Sequence, residues 1–184
     1  DKFASIVSHD LRNPLNVAQG HLELIADESD SDHIRPVRDS LRRMNEIITD
    51  TLTLARKGRI VDETEPVSIR RAAEESWQNT ETEGADLDVV DVTVHADPHR
   101  LQSVLENLFR NSIEHAGDVS VRVGAAGDTG FYVEDDGPGI AETDRESIFE
   151  AGYSTTDESS GFGLTIVQDI AAAHGWEVAV TDAE

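Results

Sequence analysis

Apolar residues at Phe3, Val7, Leu11, Leu15, Ala18, Leu22 and Ile25 recur at intervals of three and four, which places them on one stripe of a helix from Phe3 to about Asp27. Ile34, Val37, Leu41, Met44, Ile48, Leu52 and Ala55 repeat the pattern. Between the two runs lies Asp27-Glu28-Ser29-Asp30-Ser31-Asp32. That stretch is rich in turn formers and N-cap side chains, so the helices are expected to fold back as an antiparallel hairpin. A lone hairpin buries one seam and leaves much of each stripe wet, and pairing with a second copy into a four-helix bundle is the expected remedy. The alternative is packing against the rest of its own chain.

After Gly58 the pattern changes. Gly58 closes the second helix and Gly58 to Pro66 reads as a linker. Ser68 is placed to cap a helix from about Ile69 to Asn79. A strand around Val89 to His95 leads through Asp97-Pro98 into a helix from about His99 to His115. Val119-Ser120-Val121-Arg122-Val123 alternates, Gly127-Asp128-Thr129-Gly130 turns and Phe131-Tyr132-Val133 returns, which predicts a β-hairpin. Gly161-Phe162-Gly163 opens a helix that Gly175 closes, and Trp176 to Thr181 reads as a last strand, with a further terminal strand expected to be missing beyond Glu184. The division is a helical hairpin over 1–58, a linker over 59–67 and an α/β layer of helices over a mixed sheet over 68–184. The whole is an α+β chain.

Composition narrows what such a chain can do. Apolar residues make up 38% of the 184 positions, enough to bury a core in one or two domains. No apolar run approaches the roughly 18 to 20 residues needed to cross a bilayer, and Asp1-Lys2-Phe3 lacks signal-peptide grammar; a segment soluble as given, without membrane contact, is expected. The absence of cysteine leaves chemistry to histidine, carboxylates, amides and the backbone. Fifteen basic against 38 acidic residues give a formal charge of −23, a field that repels nucleic acid and anionic membranes. The excess is lopsided, since residues 61–184 hold six Lys/Arg and 28 Asp/Glu. An acidic surface with only two lysines, Lys2 and Lys57, suits a protein dispersed in concentrated salt, where self-repulsion is screened. A salt-loving source is expected.

Several residues carry candidate chemistry. At about 100° per residue His9 falls opposite the apolar stripe, with Asn13 and Asn16 close to the same direction and Asp10 its neighbour in sequence. An exposed histidine on a helix is commonly just solvated, but Pro14 removes the amide that would bond the Asp10 carbonyl and loosens the turn after His9. Downstream, Asp135-Asp136-Gly137-Pro138-Gly139-Ile140 follows a strand, and Gly161-Phe162-Gly163-Leu164 precedes a helix. Glycines let amides approach an anion and a helix start adds a favourable dipole, so Gly161 and Gly163 suit a phosphate chain; short glycine pairs also merely make turns. Gly152, Ser159 and Ser160 lie in a stretch suited to a mobile lid. Asn107 and Asn111 share a helix face at i, i+4, where carboxamide oxygens can help hold a magnesium ion on phosphates. His95 and His99 flank Asp97, but Pro98 separates strand end from helix start, so a metal pair there is rejected. His21, His33 and His174 read as surface or boundary residues.

The order of these segments carries a resemblance. Phe3-Ala4-Ser5-Ile6-Val7-Ser8-His9-Asp10-Leu11-Arg12-Asn13-Pro14-Leu15 resembles the H-box of the sensor histidine kinases of two-component signalling. Leu101 to His115 resembles their N-box, Asp135 to Ile140 the G1 box, Ile148-Phe149-Glu150-Ala151-Gly152-Tyr153 the F-box and Ser160 to Leu164 the G2 box. All five stand in family order and cover nearly the whole chain.

The resemblance implies a dimerisation and histidine-phosphotransfer hairpin, forming a dimeric four-helix bundle, followed by an α/β sandwich ATP-binding domain of the gyrase/histidine-kinase type. It implies that His9 accepts the γ-phosphoryl group of ATP, with Asp10 holding the opposite ring N–H, and passes it to an aspartate on a response regulator receiver domain. It implies Mg²⁺ on Asn111, Asn107 beside the phosphates, Asp135 on the adenine amino group, Gly137 and Gly139 near the nucleotide, and Gly161, Gly163 and Leu164 around the phosphates. Asn13 matches the position from which relatives dephosphorylate the regulator. Relatives that hydrolyse ATP place a glutamate four residues before the metal-binding Asn; here Asn107 stands there and Glu106 lies about 100° around the helix. Glu114, His115 and Asp136 depart from the usual residues, and added negative charge at these points is expected to weaken ATP binding unless cations screen it. The competing readings are a catalytically weak scaffold or phosphatase-only homologue and a free-standing ATPase.

Overall fold

The computed structural model describes residues 2–28, 31, 33–55, 61, 63–80, 82, 84–116, 119–127, 129–153 and 161–182. Side chains of 2–10, 12, 27, 28, 39, 42, 46, 49, 50, 52–55, 115 and 116 lie outside that description. The two apolar stripes form helices α1 (Lys2–Glu28) and α2 (Ile34–Ala55), which pack on each other as the hairpin expected. Pro14 sits inside α1. Of the first stripe, Leu15 is buried and Leu22 half-buried, whereas Ile25 keeps 52% of its surface exposed and Met44 of the second stripe 47%. One hairpin therefore leaves much of its apolar surface in water. Gly58, expected to close α2, lies outside the described residues.

The segment expected to be linker contains a strand. β1 (Glu65–Ser68) pairs antiparallel with β3 (Thr93–Ala96), Val67 facing Val94. Pro66 is tolerated because this sheet has two strands and a proline lacks only a donor at an edge. Between them Ser68 caps α3 (Ile69–Gln78), its hydroxyl accepting from the Arg71 amide at 3.3 Å. The single strand expected over Val89–His95 is in fact two: β2 (Asp86–Val89), parallel to β4 (Ser120–Ala126), and β3 in the other sheet. Asp91 forces the change of sheet by accepting the Ser68 hydroxyl at 2.8 Å and the Arg70 amide at 3.2 Å. These bonds, the hydroxyl first, hold its carboxyl below the usual carboxylate range.

β4 turns through Gly127 into β5 (Gly130–Asp135), an antiparallel pair with Val123 opposite Val133, so the expected mixed sheet has the order β2-β4-β5. Two helices complete the layer, α4 (Pro98–Ala116) and α5 (Gly163–His174). Leu101, Leu105 and Phe109 recur every fourth residue on α4 and are fully buried with Ile69, Val94, Val121 and Val123. Trp77 meets the Phe109 ring edge-on at 5.1 Å. An adjacent α4 face carries Val104 and Leu108 into a second cluster with Ile166, Val167 and Ile170 of α5. α4 is thus clamped between the sheet core and α5.

Trp176 to Thr181 is not a strand; it lies outside both sheets. Alternation alone cannot make a strand without a paired neighbour. The segment is held by side chains instead: Trp176 stacks on His174 at 4.3 Å and meets Phe131 edge-on, and Asp182 pairs with Arg145. His174, expected at the surface or its boundary, is half-buried and accepts the Asp97 amide on Nε2 at 3.0 Å, while its Nδ1 lies 2.8 Å from the Ile170 carbonyl. The ring ties the end of α5 to the start of α4.

Candidate nucleotide and phosphate site

α4 carries the site because two of its turns face α5. Asn107 is 6% exposed, and its amide nitrogen donates to the Ser103 carbonyl at 2.8 Å. That bond fixes the amide so that Oδ1, which is buried and has no hydrogen-bond partner among the described residues, faces the start of α5. A β-carbon on Gly163 would lie 3.1 Å from this oxygen and 3.4 Å from Asn111 Oδ1. Both carboxamide oxygens therefore converge on the first residue of α5, where the unpaired amides of a helix N-terminus favour an anion. Gly161, at φ +70°, packs its α-carbon against the backbone of Gly152 and Tyr153, and the Gly152 amide donates to its carbonyl at 3.0 Å. Only glycine fits that approach. Ser159 and Ser160, expected in a lid, lie outside the described residues.

Asp135 ends β5 with both carboxylate oxygens engaged: Oδ1 accepts the Gly137 amide at 3.1 Å and Oδ2 the Ser112 hydroxyl at 2.8 Å. Ser112 follows Asn111 directly on α4, so Asp135 is tied to the same helix. Gly139 follows at φ +71°, and Leu164 is half-buried in the first turn of α5. Asp136, a departure expected to burden the nucleotide with charge, uses its carboxylate to accept the Ser120 amide at 2.8 Å. Its charge is spent on the start of β4. Glu106 is also committed elsewhere, its Oε1 accepting from Gln102 at 2.9 Å and from Asn79 of α3 at 3.3 Å. It is turned toward α3.

Ser147–Phe149 forms a single 3-10 turn, held to α5 by the Thr165 hydroxyl donating to the Phe149 carbonyl at 3.0 Å. Tyr153 beyond it has its hydroxyl held above the usual phenol range, by desolvation first and then by the charge and hydrogen bond of Asp144. Asp97 accepts the His99 and Arg100 amides as the cap of α4, which is the structural reason for the His95-Asp97-His99 pattern. Among the described residues no group of three His, Cys, Asp or Glu could hold a metal ion.

The structure thus groups Asn107, Asn111, Asp135, Gly137, Gly161, Gly163 and Leu164 around α4, β5 and α5. Asn13 is exposed on α1. His9 and Asp10 lie on α1 as well; the outward direction expected of the imidazole falls outside the described side chains. Ser112, through its hydroxyl on Asp135, and the Ser103 backbone carbonyl, on Asn107, position these residues and were not legible in the sequence, where a serine beside an asparagine gives no sign of its partner.

The two-layer domain sets paired asparagines against a glycine-opened helix start, a geometry suited to an anion. Residues 96–184 match the family model of the histidine kinase-, DNA gyrase B- and HSP90-like ATPases, and residues 1–60 that of the His Kinase A phospho-acceptor domain. The chain thus matches a phospho-acceptor domain followed by a histidine kinase-type ATPase domain, which supports a protein histidine kinase. It is 30% identical over 205 residues to the methanogenesis regulatory histidine kinase FilI of Methanothrix harundinacea, covering all of this chain and 23% of FilI. It is 31% identical to the adaptive-response sensory kinase SasA of a Synechococcus species, covering 95% of this chain and 53% of that kinase. It therefore spans about a quarter to a half of the length of these curated relatives. Full-length ShkA, solved in complex with AMPPNP, superposes with a TM-score of 0.65 at 26% identity over 97% of this chain and 43% of ShkA.

Proposed function

We propose that the chain uses ATP to phosphorylate His9 and passes the phosphoryl group to an aspartate on a response regulator receiver domain. The observation that carries this reading is the buried Asn107 oxygen, partnerless among the described residues, facing the glycine start of α5. A buried acceptor left unpaired costs about 1–3 kcal/mol. Such a group is retained where a ligand satisfies it.

The donor set fits magnesium, a hard cation that takes oxygen ligands: Asn111 would hold it, with Asn107 beside the phosphates. When bound, the ion neutralises charge on the phosphates during transfer. The amides at the start of α5 bind phosphate oxygens, and Gly161 and Gly163 keep side chains out of their way. Asp135 accepts from the adenine amino group, while Gly137 and Gly139 let the backbone approach. Asp10 holds one ring N–H of His9 so that the other nitrogen is free to attack. The N–P bond then forms as the bond to the bridging β–γ oxygen breaks, and ADP leaves. Glu106 does not stand ready to activate water, since it is bound to Gln102 and Asn79.

The wet stripe that includes Ile25 and Met44 supports pairing of two hairpins in a four-helix bundle. Asn13, exposed one turn beyond His9, suits the orientation of a water against a phospho-aspartate and so a second, phosphatase activity. No described helix is long and apolar enough to cross a membrane, which supports a cytoplasmic site of action, and the charge of −23 supports a haloarchaeal, salt-rich setting.

Incubation with γ-labelled ATP in molar potassium chloride tests the reading. Label should be acid-labile and base-stable, absent from His9→Gln, and transferable to a receiver domain, while His9→Gln still binds ATP. Mixed dimers of His9→Gln and Asn111→Ala protomers would show whether transfer crosses the bundle. Persistent labelling of His9→Gln overturns the assignment.

A further inference from the structure

We infer that Ser112 is a positioning residue for base selection, fixing the Asp135 carboxylate so that the pair Ser112 and Asp135 offers only acceptors to a purine. The inference rests on the reading that Asp135 meets the adenine amino group. Ser112 is 6% exposed, and a hydroxyl so buried must find a partner. It donates to Asp135 Oδ2 at 2.8 Å, while the Gly137 amide reaches Oδ1 at 3.1 Å from the other side.

Carboxylate torsions are broad when nothing restrains them. Two donors on opposite oxygens remove that freedom, and each oxygen keeps a lone pair for a ligand. The Ser112 proton is spent on Asp135, so the serine presents lone pairs as well. An amino group placed there finds acceptors; the carbonyl oxygen that guanine carries at the same ring position meets acceptors only and is left unpaired. Ser112 and Asn111 are consecutive on α4. One rigid helix therefore sets both the base-reading carboxylate and the phosphate-side amide.

The test measures ATP and GTP binding by calorimetry, and KM and kcat for His9 labelling, on the whole chain in molar potassium chloride. Ser112→Ala should raise the KM for ATP about tenfold with kcat within about twofold and GTP binding unchanged, narrowing the preference for ATP. Ser112→Thr, which keeps the hydroxyl, should restore most of it. Should Ser112→Ala fail to fold, Ser112→Cys, a weak donor of similar volume, takes its place with the same expectation. Unchanged ATP binding and preference in the alanine variant overturn the inference, as does equal loss in the alanine and threonine variants. Asp135→Asn separates the two levels. If it keeps the full preference for ATP, the adenine reading itself fails; if it loses the preference while Ser112→Ala does not, only the role of Ser112 fails.

Discussion

Gly163 and Asn107 stand so close that a methyl group on the glycine would lie 3.1 Å from the amide oxygen, and 3.4 Å from that of Asn111. Gly163 opens α5 without a left-handed φ, so alanine is conformationally acceptable there and favours the helix by roughly 0.5–1 kcal/mol. Gly163→Ala should therefore melt no lower than the parent, yet raise the KM for ATP about tenfold by crowding the two oxygens. Thermal unfolding paired with labelling kinetics checks this. A variant that binds ATP normally would place the phosphates elsewhere.

Glu106 is bonded to Gln102 and Asn79 and turned toward α3. Glu106→Ala should leave His9 labelling and the slow release of phosphate unchanged, at a stability cost of about 0.5–1.5 kcal/mol for the lost contacts. A marked fall in phosphate release would show instead that this carboxylate activates water.

Gly161→Ala should be far less tolerated than Gly163→Ala. Its added carbon would sit 2.8 Å from the Gly152 carbonyl carbon, at a φ of +70° that side chains rarely adopt. The expected loss is about 1–3 kcal/mol, with faster amide exchange at Gly152 as its bond to the Gly161 carbonyl is broken. Protection at Gly152 equal to the parent's would show that the close approach is unimportant.

Asp91 supplies a pH signature. Its folded pKa lies below the ordinary carboxylate value because its charge accepts the Ser68 hydroxyl and the Arg70 amide. The stabilisation is therefore present above the unfolded value of about 3.9 and lost as pH falls through the lower folded value. Denaturation of the parent and Asp91→Asn should differ by a constant amount near neutrality, and the curves should converge in acid. A gap that persists at low pH would assign the effect to packing.

Salt should stabilise the whole chain. With a charge of −23 on 184 residues, screening of self-repulsion between dilute buffer and molar potassium chloride should raise the melting temperature by roughly 5–15 °C. An unchanged melting temperature would remove the argument for a salt-rich setting.

Local signals made the helices and the glycine segments readable in advance. The stripes of α1 and α2 repeat for six or seven turns, and Ser68, Asp97 and Gly175 cap their helices as their chemistry suggests. What escaped detection depends on distant partners. β1 is four residues long and includes Pro66, so nothing in its composition announces that β3 will pair with it. Asp91 looks like a charge interrupting a strand until Ser68, 23 residues away, donates to it. The positions of Asn107, Asn111 and Asp135 were legible from spacing and motif order. Their orientation was not, because Ser103, Ser112 and Gly163 set it through contacts that spacing does not encode.

Within ten residues, α4 is bound on nearly every side: Glu106 to α3, Phe109 in the core, Asn107 against α5 and Ser112 to the end of β5. A shaft gripped by so many bearings cannot turn. Any swing that carries the catalytic lobe toward the histidine-bearing hairpin must hinge outside it, delivering base and phosphates together like a loaded tray whose place settings never shift.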